Sequence, residues 1–301
     1  MTDYSSQRPV LVSVLINNYN YGPYIQYCLD SVFNQTYKHI EVIVYDDGST
    51  DDSLEVLKRN GDKIKVLARP NHGKYPSFNQ ANGISEAFKV SSGEIVCLLD
   101  SDDAFAPEKV ERVVAAFRQQ PACVMVQHNM YRIDVENRPT GHIGKKNFII
   151  AKRPLSGIYF TRRIDPFFVQ TSGLSFSRTF LEKALPLQED VYELIWADVR
   201  LSRHALFAGP ICTLKELLTE YRIHSANDSS KLDDPVYFNK FRKQHYAYFN
   251  EQARRYNMPG LRQIPNGLSK VRLALYMFFG KHSIKERIRF FKTFFSGKAM
   301  L

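Results

Sequence analysis

The sequence has little cysteine and sets it out without pattern: Cys28, Cys97, Cys123 and Cys212 stand apart in apolar surroundings. No C-x-x-C pair or regular spacing supports a disulfide frame or a zinc site, so four buried thiols in a reducing compartment are expected. Long apolar runs are also absent. The longest, Leu273 to Phe279, falls far short of the roughly 20 residues of a membrane-spanning helix. The opening residues MTDYSSQRPV have neither a basic nor an apolar stretch, and no secretory signal is expected from them. No G-x-G-x-x-G follows a strand-like run, which excludes dinucleotide-dependent dehydrogenase chemistry. Ser172, Ser175 and Ser177 do not form G-x-S-x-G and read as loop serines bonding backbone, not as nucleophiles.

What is present begins with charge. The chain carries a formal net charge of +10, and its distribution is uneven. From Lys231 onward there are 15 Lys and Arg against 4 Asp and Glu, so residues 1–230 are close to neutral. A polyanion-binding catalytic core is therefore not expected, and the basicity belongs to a separate segment.

With 301 residues, 44% of them hydrophobic, the chain is long enough for one large α/β domain with an appendage. Apolar, β-branched runs at 10–16, 40–45, 64–68 and 95–99 read as buried strands. Between them lie helical patterns, the first with Ile25, Cys28, Leu29, Val32 and Phe33 on one face. Strand and helix alternate, the signature of a mostly parallel sheet flanked by helices, with functional groups on the loops after strand ends. Pro107 opens a further helix with Val110, Val113, Val114 and Phe117 inward, and 123–133 reads as another strand. Residues 135–170 lack periodicity and read as loops.

Two acidic clusters follow strands directly. Asp46 and Asp47 open DDGSTDDS, and Asp100-Ser101-Asp102-Asp103 ends the run IVCLL. Carboxylates crowded at one strand end repel one another unless a cation or hydrogen-bond donors offset them. Mg²⁺ and Mn²⁺ are suited to such a place, since they use one or two protein carboxylates and complete their shell with water and phosphate oxygens. A metal–diphosphate site is the expectation. Capping and turn roles account equally well for 46–52, and less well for the second cluster.

The order VSVLINNYNYGPYIQYCLDSVFNQTYKHIEVIVYDDGSTDDS, then NHGKYPSFNQANGI, then GEIVCLLDSDD resembles the family 2 glycosyltransferases of GT-A fold, inverting enzymes that use nucleotide-diphosphate sugars. The resemblance covers about residues 10–225. It implies a GT-A (Rossmann-like) α/β domain over 1–230, beyond which composition reads as a basic, aromatic-rich helical extension over 231–301. It also implies that Asp46 and Asp47 sit by the base and ribose of a nucleotide sugar, with Asn18, Tyr19 and Asn79 lining the same pocket. Asp100 and Ser101 are expected near the ribose and diphosphate, and Asp102 on a divalent metal, Mn²⁺ or Mg²⁺. The block at 196–230 resembles the segment that carries the catalytic base, which places Asp198 in that role. Its usual Glu neighbour is absent, since residue 197 is Ala. His224 matches a histidine that reaches metal and diphosphate. The first block also departs from many relatives in having Asn17 where they have Pro.

The resemblance implies transfer of a sugar, UDP-linked in the commonest family case, to a hydroxyl of a glycan or lipid-linked acceptor in bacterial surface polysaccharide or lipopolysaccharide assembly. The rival readings are a catalytically degenerate scaffold and a nucleotidyltransferase acting on a sugar phosphate. The latter needs a basic phosphate loop that NNYNYGPY does not offer. In the extension, 268–298 combines YMFFG with a basic amphipathic pattern, which predicts contact with an anionic membrane surface at the cytoplasmic face. No motif supports nucleic-acid binding.

Overall fold

The computed structural model describes residues 8–71, 73, 75–144, 168–187, 192–224 and 234–258. The segment read as membrane-binding, 268–298, lies outside the described residues.

Four strands set the frame: β1 (Val12–Asn18), β2 (Ile40–Asp46), β3 (Lys65–Ala68) and β4 (Ile95–Asp100). They are parallel in the order β3-β2-β1-β4. Parallel pairing requires crossovers, here α1 (Gly22–Phe33), α2 (Ser53–Arg59) and α3 (Pro76–Lys89). Such strands are covered on both faces, which is why their sequences are apolar throughout and not alternating. Val12, Val14 and Ile16 of β1 face α1 and α2, while Leu15 faces α3 with Ile84 and Ala87. Each fully buried aliphatic side chain of this kind contributes about 1.5–3 kcal/mol.

Beyond β4 the sheet turns mixed. The strand β5 (Ala104–Phe105) leads into α4 (Lys109–Gln119), which buries Val110, Val113, Val114 and Phe117 as its spacing predicts. Next comes β6 (Met125–Ile133), which forms a hairpin with β7 (Pro139–Ile143) within the stretch read as loops. β8 (Leu174–Ser177) pairs antiparallel with both β4 and β6. A helix α5 (Arg178–Ala184) follows, then α6 (Ala197–Ala208) and the long strand β9 (Ile211–Arg222), parallel to β6. The order across the sheet is β3-β2-β1-β4-β8-β6-β9-β5. The last described element, α7 (Pro235–Arg255), lies on α6 and sends Phe249 and Ala253 into the core. All four cysteines are buried and free.

This topology fixes where a ligand can sit. The chain moves outward from β1 to β3 and then returns to the other side of β1 with β4, so a crevice opens at the carboxyl ends of these strands. The register levels them: Asn18 lies beside Asp46, and Asn17 beside Asp100.

Candidate active site

A cavity of about 680 Å³ occupies that crevice. Its wall contains Asn18, Tyr19, Asp47, Asn79, Asp100, Asp102 and Asp198, seven of the ten residues expected at the site. They come from the ends of β1, β2 and β4, from α3 and from the first turn of α6. Asp46, Ser101 and His224 lie outside the cavity wall.

Asp46 is fully buried and holds the loop together. Its carboxylate accepts from Asn18 Nδ2 at 2.7 Å, from the Ser49 amide at 2.9 Å and from Ser49 Oγ at 2.7 Å. This is turn chemistry, the alternative that residues 46–52 allowed. Gly48 completes the turn at φ 75°, where a Cβ would meet the Asn71 amide nitrogen at 2.6 Å. Asp47 then faces the cavity and accepts from Asn71 Nδ2 at 2.7 Å, while Asn79 Nδ2 donates to Asn71 Oδ1 at 3.3 Å. Tyr19 stands at the mouth, 46% exposed, with its ring available for stacking.

The second cluster splits by direction. Ser101 is buried under the turn, and Asp103 is anchored by Ser172 Oγ at 2.5 Å and by the Arg222 amide at 2.9 Å. Ser172 Oγ also accepts from the Asp100 amide at 3.0 Å and Ser177 Oγ from the Phe180 amide at 3.3 Å, the backbone bonding expected of them, but Ser175 and Ser177 lie in β8 and not in a loop, and Ser175 Oγ donates to Cys97 Sγ at 3.4 Å. Asp100 and Asp102 line the cavity. Burial, then the nearby Asp102 charge, raises the Asp100 carboxyl to about 7. Asp103 is pushed up for the same two reasons. Tyr21 and Tyr221, also in the wall, are held as neutral phenols by burial and by these aspartates.

His224 donates Nε2–H to Asp102 Oδ2 at 2.8 Å. Its ring stacks on Tyr24 at 5.8 Å and takes the edge of Tyr21 at 5.6 Å. The Arg222 guanidinium lies 4.6 Å over the same Tyr24 ring. Thus NYNYGPY, which lacks a basic phosphate loop, supplies the aromatic seat for the histidine.

Asp198 sits in the first turn of α6, capped by the Val199 amide at 2.7 Å. Burial raises its carboxyl to about 6, against the lowering effects of that amide and of Arg203. Sequence reasoning missed Gln80, which ties the two halves of the site together. Its Nε2 donates to Asp100 Oδ1 and Thr171 Oγ1, both at 3.1 Å, and its Oε1 accepts from the Ala197 amide at 3.3 Å. One side chain therefore fixes the β4 carboxylate relative to the N-terminus of the helix bearing Asp198.

Among the described residues no three His, Cys, Asp or Glu side chains converge as a metal cage. The adjoining Asp102 and His224 offer a carboxylate oxygen and, once the Nε2 proton shared with Asp102 is displaced, an imidazole nitrogen, a donor set that fits a hard divalent ion completed by phosphate and water, and not a structural zinc.

The parallel half-sheet, the crevice at its strand ends and the facing carboxylates define a glycosyltransferase of GT-A architecture. Residues 13–185 match the family described as Glycosyl transferase family 2, and the chain belongs to that family. An uncharacterised glycosyltransferase from Nostoc is 36% identical over 221 residues, which span 72% of this chain and 66% of that one. The GalNAc(5)-diNAcBac-PP-undecaprenol β-1,3-glucosyltransferase of Campylobacter jejuni is 25% identical over 88% of this chain and 98% of its own length. By contrast the chain spans only 12% of the hyaluronan synthase of Pasteurella multocida. Two solved structures share the fold at low identity. TarS of S. aureus with UDP-GlcNAc has TM-score 0.58 at 17% identity, covering 92% of this chain and 77% of that one. The mannosyltransferase PcManGT of Pyrobaculum calidifontis with GDP-Man and Mn²⁺ has TM-score 0.57 at 18% identity, covering 91% and 71%.

Proposed function

We propose that the protein is an inverting glycosyltransferase that moves a sugar from a UDP-linked donor to a hydroxyl of a lipid-linked or glycan acceptor, in assembly of bacterial surface polysaccharide or lipopolysaccharide at the cytoplasmic membrane face. The observation that carries this reading is the convergence of Asp47, Asp100, Asp102 and Asp198 on one cavity. UDP-GlcNAc in TarS and the undecaprenol-linked acceptor in the name of the Campylobacter enzyme support the donor and acceptor classes.

In this reading Tyr19 stacks on the nucleobase, while Asp47, held by Asn71 and Asn79, and Asn18 hold the nucleoside. Asp100 meets the ribose and diphosphate. Asp102 and His224 would hold Mn²⁺ or Mg²⁺, the former being the ion named with the mannosyltransferase. Such an ion supplies charge stabilisation for the departing diphosphate. Asp198 takes the proton of the acceptor hydroxyl as that oxygen bonds to the anomeric carbon, and the bond from that carbon to the diphosphate oxygen breaks with its electrons on the leaving group. The phenols of Tyr21 and Tyr221, kept neutral, donate to the charge that develops there.

The reading is tested by incubating the full chain with a panel of labelled nucleotide sugars and a bacterial lipid extract. An α-linked donor should yield a β-linked product with wild type and none with Asp198→Asn. A product that retains the α configuration would contradict the single-displacement chemistry.

A further inference from the structure

The cavity has a second wall of different chemistry. Besides the polar groups of the strand ends, the cavity lining contains Phe168, Trp196, Tyr237 and Phe241, and one cation, Arg203. Among the described residues Arg203 is the only Lys or Arg in the cavity wall, against four aspartates. It is 8% exposed, and its environment is built. Nε donates to His245 Nε2 at 3.0 Å, Nη1 donates to Ser202 Oγ at 3.2 Å, and the guanidinium plane lies 4.7 Å over Phe168.

The clamp comes from α7. Tyr237, Phe241 and His245 recur at intervals of one helical turn and so share one stripe. Phe241 stacks on His245 with centroids 6.0 Å apart and planes 8° from parallel. The helix is tied to the segment before α6 by the Leu194 amide donating to Gln244 Oε1 at 2.9 Å and by Tyr192 Oη donating to Glu251 Oε2 at 2.5 Å. It lies beyond the residues that match the family model, 13–185.

We propose that Arg203 recognises an anionic group on the acceptor, a carboxylate or a phosphate carried by the saccharide, while Tyr237 and Phe241 receive the apolar face of its ring. The inference rests on the transferase reading and names its acceptor class. The guanidinium is buried in the cavity wall and held in orientation on the helix that carries Asp198, whose charged form it also favours. A guanidinium so held is suited to charge-assisted hydrogen bonding of a carboxylate or phosphate. The C–H face of a pyranose is apolar and matches an aromatic surface.

The test is calorimetric titration of the full chain, saturated with UDP and Mn²⁺, with methyl β-glucuronide, glucose 1-phosphate and the neutral methyl β-glucoside. At least one anionic probe should bind about tenfold or more tightly than the glucoside. Arg203→Met should erase that gap and leave UDP affinity within about twofold, whereas Phe241→Ala should weaken all three probes alike. His245→Phe, which keeps the stack and loses the acceptor nitrogen, should narrow the gap and serves if Arg203→Met folds poorly. Which anionic probe binds separates a sugar carboxylate from a phosphate. Equal binding of the glucoside, no binding of either anionic probe, or loss of UDP affinity in Arg203→Met overturns the proposal. Failure of UDP, GDP, CDP and dTDP all to bind wild type overturns the transferase reading itself.

Discussion

Replacing Asp198 by Asn should cost activity and add stability. If this carboxylate takes the acceptor proton, the amide, which cannot, should lower turnover by about 10²–10⁴-fold, or roughly 3–5 kcal/mol of barrier. The pH profile follows from burial, which raises the group from 3.8 to about 6. The rate should therefore climb with pH through about 6 and level off above about 7, where roughly nine-tenths of the group is ionised. The same shift acts on folding. A carboxyl whose folded pKa exceeds its unfolded value binds its proton more tightly in the native state. Its contribution to stability is intact below about pH 4 and declines as pH rises to about 6. At about 1.4 kcal/mol per unit, the charged group costs on the order of 2–3 kcal/mol above that range, and Asn removes the cost. Two assays suffice: release of nucleoside diphosphate against pH, and urea unfolding of both proteins at pH 8 and pH 4.5. A flat rate profile between pH 5 and 8, or a variant above one-tenth of wild-type turnover, refutes Asp198 as the base. Absence of stabilisation at pH 8 refutes the electrostatic part of the reasoning.

Other outcomes follow from the same geometry. Asp46→Ala removes the acceptor of three hydrogen bonds and leaves Asn18 and Ser49 donors buried without it, so stability should fall by about 2–4 kcal/mol in urea unfolding. Gln80→Ala should leave nucleotide affinity within about threefold while kcat drops by about tenfold or more, because α6 loses its tether to Asp100. An equal loss in both parameters would make Gln80 a donor-binding residue instead. Gly83→Ala puts a Cβ 2.6 Å from Asn17 Oδ1 and 2.8 Å from Tyr45 Cδ1, and should cost about 1–3 kcal/mol, read as a lowered Tm.

The elements that could be read from the sequence are those whose partners are implied by periodicity. β1, β2 and β4 are apolar on both faces because helices cover both, and that alone orders them as a parallel core with carboxylates at one edge. The GT-A fold and the family came from the resemblance of the motif blocks and not from periodicity. The short strands β5 and β8 carry no such pattern, since their pairing is decided by distant segments, and β7, paired locally with β6, is exposed and has no apolar alternation. Direction within a turn is equally local to the fold. Nothing in DSDD distinguishes Asp102, in the cavity wall, from Asp103, locked inward by Ser172 and Arg222. Gln80 could not be recognised because its role exists only where α3, β4 and α6 meet. The stripe on α7 reads as an ordinary amphipathic helix until α6 is laid beneath it.

The most direct test of the account is isothermal titration of UDP, GDP, CDP and dTDP, with and without Mn²⁺, on wild type and on Asp102→Ala. Tight binding of UDP that needs Mn²⁺ and vanishes in the variant is the expected result, with Asp102 and its cavity as the donor site. Unchanged binding in the variant would contradict the assignment of Asp102, and no binding of any nucleotide would contradict the donor site altogether.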